Sequence, residues 1–371
     1  MINILHTIDT TGPGGAETVF LDLVKRLDAK QFRSFVAIRG AGWVNDELLK
    51  LGVSPIYINS KGSLSFSYLW QLVRCIREYK IDVVQSHLLG TNLYSSLAGL
   101  LCRVPVVATF HGFVDVQSNE RFARVKLFII NNGASFLVYV SDNLRAFYID
   151  RKGFRREKSV TIYNGVDTSR YCPCIDSSVR TSIGLSADDV LVGSVGNIRT
   201  AKGYEYLLNA ARRVVDSNPR FYFAVAGGGG GGLRDKLLQL RKDLMLEKNF
   251  FFLDYQPDVA TFLNNLDIFV LPSVTEGFSI STLEAMACGV PVIATRSGGP
   301  EEIIHDGETG FLVDPCDAQA LATAIVDVYG AGSKARTCAA NALDVAKSTF
   351  SSATMMQKYQ HLYRTVLGAS C

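Results

Sequence analysis

Two glutamates in one short segment are the residues whose type and spacing most directly suggest chemistry. Glu276 and Glu284 have seven residues between them, and they follow a predicted buried strand at about 267–271. A helix is predicted to begin near 282, and the N–H groups at the start of a helix are unpaired and attract anions. A carboxylate repels an anion, so these acids make sense if they reach past a phosphate to hydroxyl groups of a sugar or ribose. The alternative is a capping box formed by Ser281 and Glu284.

Two cations lie at the end of another predicted strand. Arg199 and Lys202 follow the apolar run at 190–196, and a helix is predicted after them. A guanidinium can grip two phosphate oxygens and an ammonium adds a point charge, so the pair suits a pyrophosphate. A pair of solvated loop cations is the alternative.

A run of six glycines at 227–232 also follows a predicted strand. With Asp254 at the end of the next strand, it resembles a dinucleotide-binding fingerprint. The match is weak because a run of glycines fits any glycine spacing. An NAD-dependent oxidoreductase therefore stays open as an alternative, although it explains neither the two glutamates nor the two cations.

The pattern of apolar segments predicts the fold. With 371 residues and 48% apolar content, the chain is long enough for two domains with real cores. Short apolar runs alternate with longer amphipathic segments, which is typical of βα units and parallel sheets. We expect an α/β protein of two doubly wound, Rossmann-like domains facing across a cleft. Their predicted limits are 1–170, with 350–371 packing back on it, and 171–349.

Predicted strands and helices follow one another throughout the chain. In the first half strands are expected near 2–8, 34–39, 54–59, 82–86, 105–110 and 136–140. In the second half they are expected near 190–196, 220–226, 250–253, 267–271 and 291–295, with an edge strand that ends at Val313. The last predicted helix, at about 350–366, has an apolar and aromatic stripe that could pack on either domain.

Charge and cysteine content narrow the class of protein. Residues 1–185 contain 22 Lys and Arg against 15 Asp and Glu, whereas the remainder contains 16 against 20. The basic first half suggests contact with an anionic membrane or a lipid-phosphate acceptor, and no nucleic-acid motif is present. The eight scattered cysteines, the absence of a long apolar run and the absence of a secretory leader predict a cytoplasmic protein. The basic first half would allow this protein to dock on the inner face of the cytoplasmic membrane.

Taken together, these motifs resemble family 4 of the glycosyltransferases, which are retaining enzymes of the GT-B fold. The second-half segments that carry the resemblance are Glu276-Gly277-Phe278, the stretch from Glu284 to Pro291 and Gly307-Glu308-Thr309-Gly310. The first-half segments are Gly12-Pro13-Gly14-Gly15, Thr109-Phe110-His111-Gly112 and the turn at 162–167. The resemblance implies that the last helix crosses back onto the first domain.

The resemblance also implies roles for individual residues. Glu284 would bond ribose hydroxyls, Glu276 would bond hydroxyls of the transferred sugar, and Arg199 and Lys202 would neutralise the leaving diphosphate. His111 would lie near the anomeric carbon. The remaining donor-binding residues would line the phosphates or read the base: Gly14, Gly15, Asp254, Tyr255, Gly277, Phe278, Ser279, Ile280 and Ser281. His87, also at a strand end, is interpreted as a hydrogen-bonded structural residue rather than a catalyst.

The sequence thus predicts a hexosyltransferase that needs neither metal nor cofactor. Its donor is a nucleoside diphosphate sugar, with UDP favoured. Its acceptor is a glycan, a lipid-linked sugar or a small molecule in bacterial surface polysaccharide synthesis, read by loops near 60–66 and 112–124. The same fold would also suit a nucleotide-sugar epimerase or hydrolase, or a catalytically silent binding protein.

Overall fold

The computed structural model describes residues 1–58, 65–113 and 122–368. It divides into two compact units, Met1–Asn164 with Ser352–Cys371 and Gly165–Ser351. The division therefore comes after Asn164 and after Ser351, where the sequence had suggested residues 170 and 349. Most of both predicted acceptor loops, at 60–66 and 112–124, lies outside the described residues.

The amino-terminal unit is built on a parallel sheet with the order β3-β2-β1-β4-β5-β6-β7. The central strands are buried on both faces, as expected for parallel strands covered by helices, and they combine apolar residues with buried polar side chains near their carboxyl ends. The strands are β1 (Ile2–Ile8), β2 (Phe32–Ile38), β3 (Ile56–Tyr57), β4 (Val83–His87), β5 (Val106–Phe110), β6 (Phe136–Tyr139) and β7 (Ser159–Thr161). The helices are α1 (Gly15–Arg26), α2 (Trp43–Lys50), α3 (Phe66–Glu78), α4 (Leu89–Cys102), α5 (Ala123–Gly133) and α6 (Asp142–Lys152).

The carboxy-terminal unit repeats this plan with the order β10-β9-β8-β11-β12-β13, again with parallel pairing. Its strands are β8 (Val190–Val195), β9 (Phe221–Ala226), β10 (Phe250–Phe252), β11 (Ile268–Leu271), β12 (Val292–Thr295) and β13 (Phe311–Val313). Its helices are α7 (Ser178–Ser182), α8 (Tyr204–Ser217), α9 (Gly232–Asp243), α10 (Val259–Asn264), α11 (Ile280–Ala287), α12 (Ala318–Gly330) and α13 (Ser333–Ser348).

The last helix of the chain, α14 (Ser352–Val366), belongs to the amino-terminal unit. Its apolar stripe is buried, and its hydroxyl groups bond residues of that unit: Ser352 bonds Asp22, and Tyr363 donates to Gln85 Oε1 at 3.0 Å. The prediction that this helix crosses back onto the first domain is confirmed. In the described part of the chain, no helix is both long and apolar enough to cross a bilayer.

Strand order reverses once in each sheet, between β1 and β4 and between β8 and β11. In open parallel sheets, ligands bind beyond the carboxyl ends of the strands at such a reversal. The predicted doubly wound fold is therefore confirmed, and it directs attention to the loops that follow these four strands. The short strand β7 was not predicted, since its three residues follow a strongly basic segment that has no strand-like alternation.

Candidate functional site

Lys202 and Glu276 form an ion pair at the reversal point of the carboxy-terminal sheet. Lys202 lies in the loop after β8 and Glu276 in the loop after β11, and Lys202 Nζ is 2.6 Å from Glu276 Oε1. Ser273 Oγ donates to the same carboxylate oxygen at 2.7 Å. Both charged side chains are mostly buried, with exposed fractions of 21% and 12%. The structure thus brings together the acid and the cation that the sequence had placed on separate strands.

Backbone geometry holds these two loops against each other. Gly203 has a φ of +64°, and a Cβ there would collide with the carbonyl oxygen of Pro272. The Glu276 N–H donates to the Ser297 carbonyl at 2.9 Å, and a Cβ on Gly299 would lie 2.7 Å from Phe278 Cα. The close approach of these chain segments therefore depends on glycine at both positions. Arg199 lies just before Lys202, with an exposed side chain.

The predicted anion site is the start of α11. Ser279 is the residue that caps the helix: its Oγ accepts from the Thr282 N–H at 3.3 Å. The alternative of a capping box formed by Ser281 and Glu284 is therefore wrong, because Ser281 lies inside the helix. Gly277 and Phe278 form the turn before it, and the first turn of the helix (Ile280 and Ser281) presents N–H groups without intrahelical acceptors.

Glu284 lies inside α11 and is 8% exposed. Burial raises the pKa of its carboxyl to about 7, although a hydrogen bond with Tyr171 and the charge of Arg170 act in the opposite direction. Burial, together with the nearby Glu284, also raises the pKa of the Tyr171 hydroxyl. Glu284 thus titrates near neutral pH, unlike an ordinary surface glutamate.

Asp254 and Tyr255 follow β10, where the sequence placed base recognition. The Asp254 carboxylate forms an ion pair with Arg234 of α9, and its carbonyl accepts from the Gly227 N–H at 2.8 Å. Tyr255 is about half exposed. Gly227, the first residue of the glycine run, is therefore hydrogen-bonded to this loop. Sequence reasoning had not identified Arg234 as the partner of Asp254.

The remaining predicted residues belong to the amino-terminal unit. Gly14 precedes α1 and Gly15 begins it; a Cβ on Gly14 would collide with the Glu17 carboxylate. His111 follows β5, and its Nε2 lies 2.8 Å from His87 Nδ1 of β4. Burial lowers the pKa of His111 to about 3. His87, interpreted as structural, thus contacts the predicted active-site histidine.

Within the described ranges, His, Cys, Asp and Glu side chains form no cluster of three or more suited to a metal ion. The cleft expected between the domains stays a prediction.

Two Rossmann-like domains, with acids and cations at strand ends, define the chain as a GT-B glycosyltransferase. The family model for glycosyl transferases group 1 matches residues 177–344, and that for glycosyltransferase family 4 matches residues 13–170. The chain belongs to this glycosyltransferase family.

Known relatives agree with this assignment. A GDP-mannose-dependent alpha-(1-6)-phosphatidylinositol monomannoside mannosyltransferase of Mycolicibacterium smegmatis is 32% identical, over 70% of each chain. The UDP-Gal:alpha-D-GlcNAc-diphosphoundecaprenol alpha-1,3-galactosyltransferase of Escherichia coli is 24% identical, over 85% of this chain and 84% of the relative. The crystal structure of Anabaena HepE in complex with UDP-glucose matches with a TM-score of 0.88 and 25% identity, over 98% of this chain and all of HepE.

The raised pKa of Glu284 predicts a distinct pH dependence of stability. The folded protein holds a proton on Glu284 up to about pH 7, whereas the unfolded chain releases it near pH 4.5. Stability is therefore lost as pH rises through this window. Glu284→Gln cannot ionise, so at pH 8 we expect its free energy of unfolding to exceed that of the wild type by roughly 3 kcal/mol. Near pH 4.5 the two should agree.

Urea unfolding at both pH values measures this difference. Glu247→Gln, at an exposed position of the same domain, is the matched control and should follow the wild type throughout. A Glu284→Gln variant whose stability difference from the wild type is the same at pH 4.5 and pH 8 would contradict the prediction.

Proposed function

We propose that this glycosyltransferase is a retaining, metal-independent hexosyltransferase that uses a UDP-sugar in bacterial surface polysaccharide synthesis. The observation that carries the proposal is the contact between Lys202 and Glu276 beside the start of α11. It sets one cation and one acid at the strand ends where a phosphorylated sugar would bind.

The donor is inferred from the acids and from the relatives. Glu276 would accept hydrogen bonds from hydroxyl groups of the sugar, and Glu284 from the ribose. HepE, which matches nearly the whole chain, was crystallised with UDP-glucose, and the Escherichia coli relative is named for UDP-Gal. The mannosyltransferase relative is named for GDP-mannose, but its match covers a smaller part of this chain. These findings favour UDP, with Asp254, Arg234 and Tyr255 near the base.

The chemistry follows from where charge develops. As the bond to the anomeric carbon breaks, negative charge builds on the leaving diphosphate. Lys202, Arg199 and the N–H groups at the start of α11 would stabilise that charge, and such preorganised donors are worth most in a partly buried site. Because these groups supply positive charge, we propose that transfer proceeds without a metal ion.

Lys202 has a second task in this scheme. In the structure its ammonium neutralises Glu276, and an unpaired carboxylate at such a mostly buried position would be costly. The diphosphate would draw Lys202 to its oxygens while sugar hydroxyls take its place on Glu276. For His111, Gly14 and Gly15 the family resemblance implies roles at the donor sugar and its phosphates, and these roles stay predictions.

The acceptor is proposed to be lipid-linked and presented at an anionic membrane. The acceptor named for the Escherichia coli relative carries a diphosphoundecaprenol group. On this chain, α3, the end of α4 and α5 are neighbouring helices of the amino-terminal unit. Large apolar side chains stand out from them: Phe66 (81% exposed), Phe128 (69%), Trp70 (64%), Leu100, Leu101, Phe122 and Val125.

Positive charge accompanies these exposed side chains. Residues 65–80, 100–103 and 122–133 contain Glu78 as their one acid, against Arg74, Arg77, Lys80, Arg103, Arg124 and Lys126. Apolar side chains among basic ones suit the boundary between lipid headgroups and acyl chains. We call these three segments the basic–apolar face and propose that it holds the enzyme on the inner face of the cytoplasmic membrane.

A thermal-shift panel tests the donor. It contains UDP, GDP and ADP, the nucleotide sugars of each, and NADH. We expect UDP and a UDP-sugar to raise the melting temperature most, because a ligand that binds the folded state stabilises it by mass action. At a concentration near one hundred times the dissociation constant, the gain is about 2.7 kcal/mol. A shift with NADH and none with UDP would instead support an NAD-dependent oxidoreductase.

Substitution of the ion pair tests the site. We expect Lys202→Ala and Glu276→Ala each to lower the rate of sugar transfer about 10²–10³-fold, the usual cost of losing one such electrostatic contact. Both variants should remain folded, with a cooperative melting transition. Lys248→Ala, at an exposed position of the same domain, is the matched control and should transfer sugar normally.

Transfer is measured by mass spectrometry of the acceptor, with and without EDTA, and activity that vanishes with EDTA would count against metal independence. Near-normal turnover in both variants would refute the site assignment. Free sugar released equally fast without an acceptor would indicate a hydrolase.

Cosedimentation with lipid vesicles tests the basic–apolar face. We expect the wild type to bind vesicles containing phosphatidylglycerol more strongly than neutral ones, and less so at high salt because salt screens the attraction. Trp70→Ser should weaken this binding severalfold, since it removes exposed apolar area. Met245→Ser, at an exposed apolar position of the other domain, is the control. Equal binding to neutral and anionic vesicles at low salt would refute the membrane proposal.

A further inference from the structure

A chain of buried polar side chains connects the last helix of the protein to His111. Gln85 and His87 of β4, Thr109 of β5 and Tyr363 of α14 are all fully buried. A buried polar group is costly unless it is hydrogen-bonded, so a connected set of them specifies one arrangement. The proposed reaction assigns no task to Gln85, His87 or Tyr363.

The hydrogen bonds run in sequence from helix to strand to loop. The Tyr363 hydroxyl donates to Gln85 Oε1 at 3.0 Å. Gln85 Nε2 donates to Thr109 Oγ1 at 2.9 Å and lies 3.2 Å from His87 Nε2. His87 Nδ1 then lies 2.8 Å from His111 Nε2, and the two rings are stacked with centroids 5.1 Å apart.

The amide of Gln85 determines which nitrogen of His87 carries hydrogen. An amide nitrogen donates and cannot accept, so His87 Nε2 beside it must be the acceptor. The Ser86 carbonyl, which can only accept, lies 3.5 Å from the amide nitrogen and sets the orientation of the amide, and Tyr363 donates to the amide oxygen at the other end. A neutral His87 therefore carries its hydrogen on Nδ1, facing His111.

The tautomer of His111 follows from that of His87 by the same argument. Because His87 Nδ1–H donates, His111 Nε2 must accept, and a neutral His111 carries its hydrogen on Nδ1. Both rings are neutral at physiological pH: burial lowers the pKa of His111 to about 3, and burial, then His111 and His6, hold the pKa of His87 well below its usual value. Reversing either tautomer would set N–H against N–H or lone pair against lone pair.

We propose that Tyr363, Gln85 and His87 are positioning residues that fix the tautomer and ring orientation of His111. With its hydrogen on Nδ1 and with Nε2 accepting from His87, His111 has no lone pair available on either nitrogen, and so it does not act as a general base in the proposed transfer. This inference rests on the proposed function for the role of His111, whereas the tautomers themselves do not depend on it. It also gives α14, the last helix of the chain, a part in catalysis that its sequence position does not suggest.

Nitrogen-15 NMR of the histidine side chains tests the tautomers directly. The chain has five histidines, few enough to assign by substituting each in turn. In the wild type we expect His87 and His111 to show the Nδ1–H tautomer and no imidazolium at pH 7. In Tyr363→Phe the Gln85 amide loses the hydrogen bond that holds its oxygen in place, so we expect mixed tautomers at both rings.

Kinetics then separate a positioning role from a structural one. We expect Tyr363→Phe to lower kcat about 10-fold, because misplaced groups cost rate more than binding, with the KM for the donor within about two-fold of the wild type. Gln85→Leu should act in the same direction and more strongly. Tyr359→Phe is the matched control: it lies on the same helix, is equally buried, and its hydroxyl is 3.4 Å from Thr109 Oγ1. It should keep the wild-type tautomers and kcat.

Two results would overturn the inference: an Nε2–H tautomer or an imidazolium at His111 in the wild type, or unchanged spectra and kcat in Tyr363→Phe. Tyr363→Phe loses only one hydroxyl, so it carries the test even if Gln85→Leu does not fold. The spectra need no substrate. A protein with the expected tautomers that transfers no sugar would therefore refute the proposed function and leave the tautomer assignment intact.

Discussion

The ion pair between Lys202 and Glu276 is the interaction on which the rest of the candidate site depends. Two opposite charges at mostly buried positions are tolerated because each neutralises the other, and Ser273 donates a further hydrogen bond to the carboxylate. Parallel strands make this meeting feasible, since their carboxyl ends share one edge of the sheet. Gly203, where a Cβ would collide with the Pro272 carbonyl, lets these two loops come close enough for a 2.6 Å contact.

The same physical constraint recurs at the other buried polar groups. Glu284 is buried with Tyr171 as a partner, so its carboxyl responds to pH near neutrality instead of near pH 4.5. His87 and His111 are neutral for the same reason and must divide donor and acceptor roles between them. In each case burial limits the charge a group can carry, and hydrogen-bond partners decide what it can do.

Sequence reasoning predicted most of the strands and the parallel sheets, because these follow from apolar runs, and it placed the acids and cations just after such runs. It could not predict partners that lie far apart in the chain. Tyr171 meets Glu284 and Arg234 meets Asp254 through packing of separate elements. No periodicity or spacing encodes such contacts. The capping box formed by Ser281 and Glu284 was wrong because the helix begins two residues earlier, with Ser279 as its N-cap.

The last helix shows why pattern alone is insufficient. Its apolar stripe indicates that one face of α14 is buried, but any apolar surface of either domain could cover such a stripe. Its polar groups are more selective: Tyr363 needs an acceptor inside the core, and Gln85 supplies one across 278 residues of chain. A buried hydroxyl without that acceptor would cost more than an apolar side chain of similar shape. This hydrogen bond therefore contributes to where α14 docks. Through Gln85 it also links the helix to His87 and His111.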